Sequence, residues 1–276
     1  MIQRIATAVV LIPLVLLLVL KAPAYLLVIV AAAVALLAIA EFLKLATYYG
    51  VQPLSQLTYI FVAIFFAFVI LASSNATPLM EATSAIFGIA LAAALAPFVF
   101  LTAAMRRTDL STGYPAAAAS TFAFAYIALP MALLVEIRRQ PAGAIWVIYT
   151  LLAVWAGDIF AYFVGKSLGR VPMAPALSPK KTWEGALGNI LASMIVAVLF
   201  AKWMQTDVIT LLVIAAGANI AGQAGDLIES AYKRGAAVKD SGGLLPGHGG
   251  MLDRIDSLIL ASPVVWLLYQ WLSRPQ

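Results

Sequence analysis

The stretch "LLVIAAGANIAGQAGDLIESAYKRG", residues 211–235, is apolar enough to enter a bilayer and yet carries a polar side chain every three or four positions. Crossing a membrane takes about 20 predominantly apolar residues in helical form. Asn219, Gln223, Asp226, Ser230 and Lys233 follow one another at spacings of 4, 3, 4 and 3, so on a helix they form one stripe. Polar groups at membrane depth are costly unless partnered, so the stripe must face protein, water or a ligand. For Asn219 and Gln223 hydrogen bonding between helices is the plainer use. A carboxylate at 226, near the helix end, is an unusual choice for adhesion alone.

The rest of the chain has the same character. Its 276 residues are 64% hydrophobic and 11% charged, with a mean hydropathy of +1.01, whereas a soluble domain is about a quarter charged. The expected fold is an all-α, polytopic integral membrane protein. The apolar runs are continuous, which excludes the alternating strands of a barrel. Nine such segments fall near 5–20, 23–40, 54–73, 84–104, 115–135, 142–164, 186–204, 208–228 and 257–272. No repeat, low-complexity tract or linker interrupts them, so a single membrane domain over 1–276 is expected. Its N-terminal helices would lie in 1–140. The helices of 141–276 would carry cytoplasmic loops at 165–185 and 229–256. The run after "MIQR" has the look of a signal peptide, but the loop charges favour a retained first helix. Cysteine is absent, which removes disulfides, thiolate metal sites and a cysteine nucleophile.

The net charge of +5 orients loops; it does not suggest a nucleic-acid partner. With a cytoplasmic N-terminus, twelve of the 17 basic residues lie inside: Arg4, Lys44, Arg106, Arg107, Lys166, Arg170, Lys180, Lys181, Lys233, Arg234, Lys239 and Arg254. Lys21, Arg138, Arg139, Lys202 and Arg274 lie outside. Nine helices, N-in and C-out, are therefore expected, with both long polar loops on the cytoplasmic side.

Those loops hold the chemistry. The glycines and Pro246 of "KRGAAVKDSGGLLPGHGG", residues 233–250, imply sharp turns whose N–H groups can cradle an anion. Lys233, Arg234 and Lys239 add charge suited to phosphates. Asp253 and Asp256, three apart, share one face near the start of the last helix; hard carboxylate oxygens of this kind hold Mg²⁺. Capping the helix is the simpler use of Asp253. His248 stands without His or Cys neighbours and makes a poor zinc ligand. A hydrogen bond to a phosphate and a fixed loop geometry are its open alternatives. Upstream, Asp158, Tyr162 and Lys166 are spaced by four. "SPKKTWEG", residues 178–185, sets Lys180, Lys181 and Thr182 beside Trp183, either to anchor the chain at the interface or to bind phosphates, with Asp158 positioning them or joining a metal shell.

The stretch "SAYKRGAAVKDSGGLLPGHGGMLDRID", residues 230–256, resembles the signature of the phosphatidate cytidylyltransferases, or CDP-diacylglycerol synthases. The signature positions are Ser230, Lys233, Arg234, Lys239, Asp240, Pro246, His248, Gly249, Gly250, Asp253, Arg254 and Asp256, without departure. "SPKKTWEG" and "GDIFAYFVGKSLG" resemble upstream segments of the bacterial members. The resemblance is specific over roughly 157 to 257. It implies transfer of the cytidylyl group of CTP to phosphatidic acid, for phospholipid biosynthesis, at the cytoplasmic face of the inner membrane. It also implies Mg²⁺, as one of two cations with a monovalent second left open, and it alone suggests a homodimer. Under that resemblance Asp226, Asp253 and Asp256 form the metal shell. Lys233, Arg234, Lys239, Asp240, His248 and Arg254 form the catalytic group. Ser230, Asp158, Lys166, Lys180, Lys181 and Thr182 bind substrate. A CTP-dependent polyprenol or dolichol kinase and an ion-coupled transporter are the rival readings.

Overall fold

In the computed structural model, residues 2–71, 78–204, 206–244 and 249–273 are described. Ten α-helices follow one another: α1 (Ile2–Lys21), α2 (Ala24–Tyr48), α3 (Ser55–Leu71), α4 (Pro78–Ala104), α5 (Gly113–Ala123), α6 (Leu129–Arg139), α7 (Gly143–Leu168), α8 (Trp183–Phe200), α9 (Val208–Gly235) and α10 (Leu252–Leu272). Among the described residues seven helical stretches are long and apolar enough to cross a membrane: Ala24–Tyr48, Ile86–Ala104, Leu110–Arg139, Gly143–Leu168, Trp183–Phe200, Val208–Gly235 and Leu252–Leu272. Two further apolar helices, Leu11–Lys21 and Ser55–Leu71, are shorter. The chain is thus a multi-pass, helical membrane protein.

One feature departs from an all-helical chain. Within the loop expected at 165–185, β1 (Pro172–Ala174) pairs antiparallel with β2 (Ser178–Thr182), Pro172 facing Thr182 and Ala174 facing Ser178. Three prolines, Pro172, Pro175 and Pro179, and a short tight turn keep this segment from continuing α7 as helix. The hairpin sits beside the start of α8, where Thr182 Oγ1 accepts the Gly185 N–H at 3.1 Å and caps the helix.

The described chain divides into two compact units. The first joins Met1–Arg139 with Gly235–Arg254. Its core is aromatic: Phe124 meets Phe61 and Phe65 edge to face, with centroids 4.9 and 5.2 Å apart. A five-residue π-helical turn, Phe124–Ala128, links α5 to α6. Pro130 follows at once and has no N–H to continue the ladder, which accounts for the widened turn. Arg138 and Arg139 end α6 by donating to the carbonyls of Val19 and Val69, closing the ends of α1 and α3.

The second unit holds Gln140–Arg234 and Ile255–Gln276. Helices α7, α8, α9 and α10 approach closely here because small residues line their contacts, the device membrane helices use where lipid offers no hydrophobic drive. A Cβ at Gly157 of α7 would strike the side-chain oxygens of both Asn189 and Asn219. A Cβ at Gly225 of α9 would come within 2.5 Å of the Asp256 carbonyl of α10.

Candidate active site

Because Gly222 and Gly225 let α9 and α10 touch, carboxylates on the two helices converge. Oxygen atoms of Asp226, Glu229 and Asp256 lie within 4.8 Å of one another. Glu229 is buried, and the two aspartates are half-buried. Three like charges this close repel unless cations balance them. Two lysines do so: Lys181 Nζ stands 2.6 Å from Asp226 Oδ2, and Lys233 Nζ 2.5 Å from Glu229 Oε2. Lys233 is itself buried, so this pair is one that geometry must sustain against desolvation.

Neighbouring residues frame the triad. Ser230 Oγ lies 3.4 Å from Asp226 Oδ1, one helical turn on. Asp158 of α7 is exposed, and its Oδ1 accepts the Asn189 amide at 3.2 Å. Asn219 donates to the carbonyls of Ala153 and Ala215. Gln223 donates to that of Ala186 at 3.4 Å. These amides therefore make the interhelical bonds that were their plainer use, while Asp226 joins the carboxylate cluster. Arg234 is exposed and its Nε donates to the Leu177 carbonyl in the hairpin turn at 3.3 Å. Lys180 is exposed on β2. Lys166 is exposed on α7, its ammonium 5.9 Å from the Tyr162 ring centroid.

The remaining motif residues belong to the first unit. Lys239, Asp240 and Arg254 are exposed there. Asp253 is not one of the clustered triad; its Oδ2 faces the Ser241 N–H, the Ser241 hydroxyl and the Gly250 N–H at 3.0, 2.9 and 2.7 Å. This is the helix-start geometry weighed for it from the sequence. His248 and Pro246 lie outside the described residues. Glu229 was absent from the candidate residues although it lies three after Asp226 on the same helical face. Its spacing of four from Lys233 was the available signal.

The donor set suits a divalent cation. All of the triad's ligating atoms are hard carboxylate oxygens drawn from two helices, the set that Mg²⁺ takes together with waters and phosphates. Carboxylate and lysine side by side also suit phosphates, since ammonium N–H groups serve phosphate oxygens where the carboxylates hold a cation.

Comparison with known proteins agrees with this chemistry. A phosphatidate cytidylyltransferase of Bacillus subtilis is 42% identical over 151 residues, 54% of this chain and 56% of that protein. One of Rickettsia bellii is 37% identical over 150 residues, 51% and 65% of the two chains. One of Staphylococcus aureus is 40% identical over 146 residues, 52% and 55%. The chain thus spans between about half and two thirds of the length of the curated relatives it matches. The model of the cytidylyltransferase family, by contrast, matches residues 2–272, nearly end to end. The chain belongs to the cytidylyltransferase family.

Proposed function

We propose that this protein transfers the cytidylyl group of CTP to phosphatidic acid, giving CDP-diacylglycerol and pyrophosphate for phospholipid biosynthesis. The observation that carries the reading is the Asp226–Glu229–Asp256 triad with Lys181 and Lys233 against it. In this reaction a lipid phosphate oxygen bonds to the α-phosphorus of CTP, and the α–β phosphoanhydride bond breaks. Pyrophosphate leaves with the electron pair. The attacking phosphate is already ionised near neutral pH, so no general base and no covalent enzyme intermediate are required. Mg²⁺, when bound, would neutralise triphosphate charge and favour the leaving group.

The chain's own residues then have defined tasks. Asp226, Glu229 and Asp256 would hold the cation, with Asp253 a further candidate ligand and a monovalent ion the candidate second cation. Lys181 and Lys233, which stand against these carboxylates, would donate to phosphate oxygens and stabilise the charge that develops on them. Lys180, Lys166, Arg234, Lys239 and Arg254 draw the anionic substrates to the surface and hold them. Ser230 donates to a phosphate, and Thr182 keeps Lys180 and Lys181 at a fixed helix start. Asp158 and Asp240 take the nucleotide or the cation shell. His248 belongs to the same motif. The nine apolar helices cross the inner membrane N-in and C-out, with the site facing the cytoplasm, and the protein works as a homodimer.

The test uses purified protein in detergent micelles with phosphatidic acid, Mg²⁺ and CTP labelled in the cytidine or in the γ-phosphate. Cytidine label should enter the lipid, pyrophosphate should appear, and EDTA should stop both. Transfer of γ-phosphate alone to a lipid acceptor would make the chain a lipid kinase. Absence of transfer to any phospholipid or prenol would remove the enzyme reading.

A further inference from the structure

The first unit holds a charged side chain that no motif contains. Glu41 stands in α2, in the apolar setting "AIAEFLKL" (residues 38–45), 200 residues from the groups it binds. Its Oε1 accepts the Met251 N–H at 3.0 Å, and its Oε2 accepts the Leu252 N–H at 2.9 Å. The same Oε2 lies 2.8 Å from the Ser241 hydroxyl, which also lies 2.9 Å from Asp253 Oδ2. One hydroxyl has one proton, so Ser241 donates to one carboxylate at a time, and its own N–H serves Asp253.

This is a helix start held from another helix. The first N–H groups of any α-helix lack partners within it, and its N-terminus favours negative charge. Glu41 supplies two acceptor oxygens to the start of α10, where Leu252 is fully buried. The loop is shaped to admit it. A Cβ at Gly242 or at Gly250 would collide with the Glu41 carboxylate. Placing a carboxylate in an apolar helix carries a desolvation cost, and charge-assisted hydrogen bonds to N–H groups are the kind strong enough to offset it.

We infer that Glu41 is a positioning residue for the cytidylyl transfer proposed above, on which the inference rests. It fixes Ser241, and with it the adjoining Lys239 and Asp240. It also fixes the first turn of α10, whose next turn carries Asp256. A cap that only stabilises the fold would lower melting temperature and leave the surviving folded protein fully competent. A positioning residue changes what the folded protein does.

The experiment compares wild type with Glu41→Ala, Glu41→Gln and Ser241→Ala, each as the full chain in detergent micelles. Three quantities are read: hydrogen exchange over 239–256, the Mg²⁺ concentration giving half of the Mg²⁺-induced melting shift without CTP, and kcat with KM. For Glu41→Ala, exchange should quicken in that segment alone. The half-maximal Mg²⁺ concentration should rise and kcat per folded molecule should fall, each by about tenfold or more. Glu41→Gln keeps one acceptor oxygen and should recover part of the loss. A folded Glu41→Ala protein with kcat and half-maximal Mg²⁺ within about twofold of wild type would overturn the inference, whatever its melting temperature. If Glu41→Ala does not fold, Glu41→Gln and Ser241→Ala decide by the same criteria. A wild-type protein that transfers no cytidylyl group refutes the proposed function instead, and the exchange and Mg²⁺ readings still decide whether Glu41 positions the helix.

Discussion

Asp256 offers the sharpest test at the scale of single residues, because the triad makes opposite demands on stability and on activity. Lys181 and Lys233 balance Asp226 and Glu229, so without a metal cation Asp256 adds a third negative charge within 4.8 Å that works against the fold. Asp256→Asn should therefore melt no lower than wild type in EDTA. With Mg²⁺ it loses a charged ligand, and turnover should fall by about 100-fold or more, near 3 kcal/mol of barrier. Melting curves with and without chelator, beside turnover, check both halves; wild-type turnover would sink the triad as a cation site. Much of this cluster was legible in the sequence. Asp226 stood out because a carboxylate among apolar residues demands a reason, and Asp256 because its spacing from Asp253 fixed a shared face. Spacing could not separate those last two. The split between them is set by the loop before α10, which folds back so that Ser241 and Gly250 reach Asp253. Glu41 was invisible for a related reason: its partners are 200 residues away, and no local pattern records such a contact.

Between elements, the site depends on how closely α9 approaches α10, and glycine sets that distance. An added Cβ at Gly225 would stand 2.5 Å from the Asp256 carbonyl, a backbone atom that cannot swing aside. Gly225→Ala should push the helices apart, cost about 1–3 kcal/mol, and depress activity further because Asp226 and Asp256 lie at that contact. At Gly222 the nearest atom would be 3.3 Å away, so Ala there should cost less, and at Gly243 nothing lies within 4 Å. A melting series ordered Gly225→Ala, Gly222→Ala, Gly243→Ala from most to least destabilised would bear this out, and a reversed order would refute it. The start of α9 supplies a pH test. Asp207 Oδ1 accepts the Thr210 N–H at 2.9 Å, and hydrogen bonds from Thr210 hold its carboxyl below the usual 3.8. A folded-state pKa lower than the unfolded one stabilises the protein above the ordinary carboxylate range, and that contribution disappears as pH falls through the lowered value. The melting difference between wild type and Asp207→Ala should be full near neutral pH and vanish in strong acid; a constant difference would remove Asp207 as the cap. Helix existence was plain from hydropathy, whereas the hairpin at 172–182 was not. Strands of three and five residues, each containing a proline, carry too little periodicity to show in the sequence.

For the whole molecule the open quantity is the number and direction of crossings. The two short apolar helices decide it. Helix α1 has 20 residues and α3 has 17, which at about 1.5 Å per residue are about 30 and 25 Å long. A hydrocarbon core is about 30 Å thick, and a mismatch of a few ångströms costs little, since the bilayer thins locally. Length therefore permits both to cross. Charge separates a crossing α3 from a non-crossing one only slightly: without α3, Lys21 would share a face with the ten basic residues of the later loops, eleven against six in place of twelve against five. The absence of cysteine makes the test clean: any single introduced cysteine is the only thiol in the chain. Cysteines at Gln3, Lys21, Arg106 and Lys202 sample the ends of successive groups of helices; of these, Lys21, Arg106 and Lys202 are exposed. In intact spheroplasts a membrane-impermeant maleimide should label the Lys21 and Lys202 positions directly, and those at Gln3 and Arg106 only after permeabilisation. Equal access at Gln3 and Lys21 would show that α1 lies on one side. Equal access at Lys21 and Arg106 would show the same for α3, and the loops would then have to be reassigned around eight crossings, or seven if α1 also stays on one side.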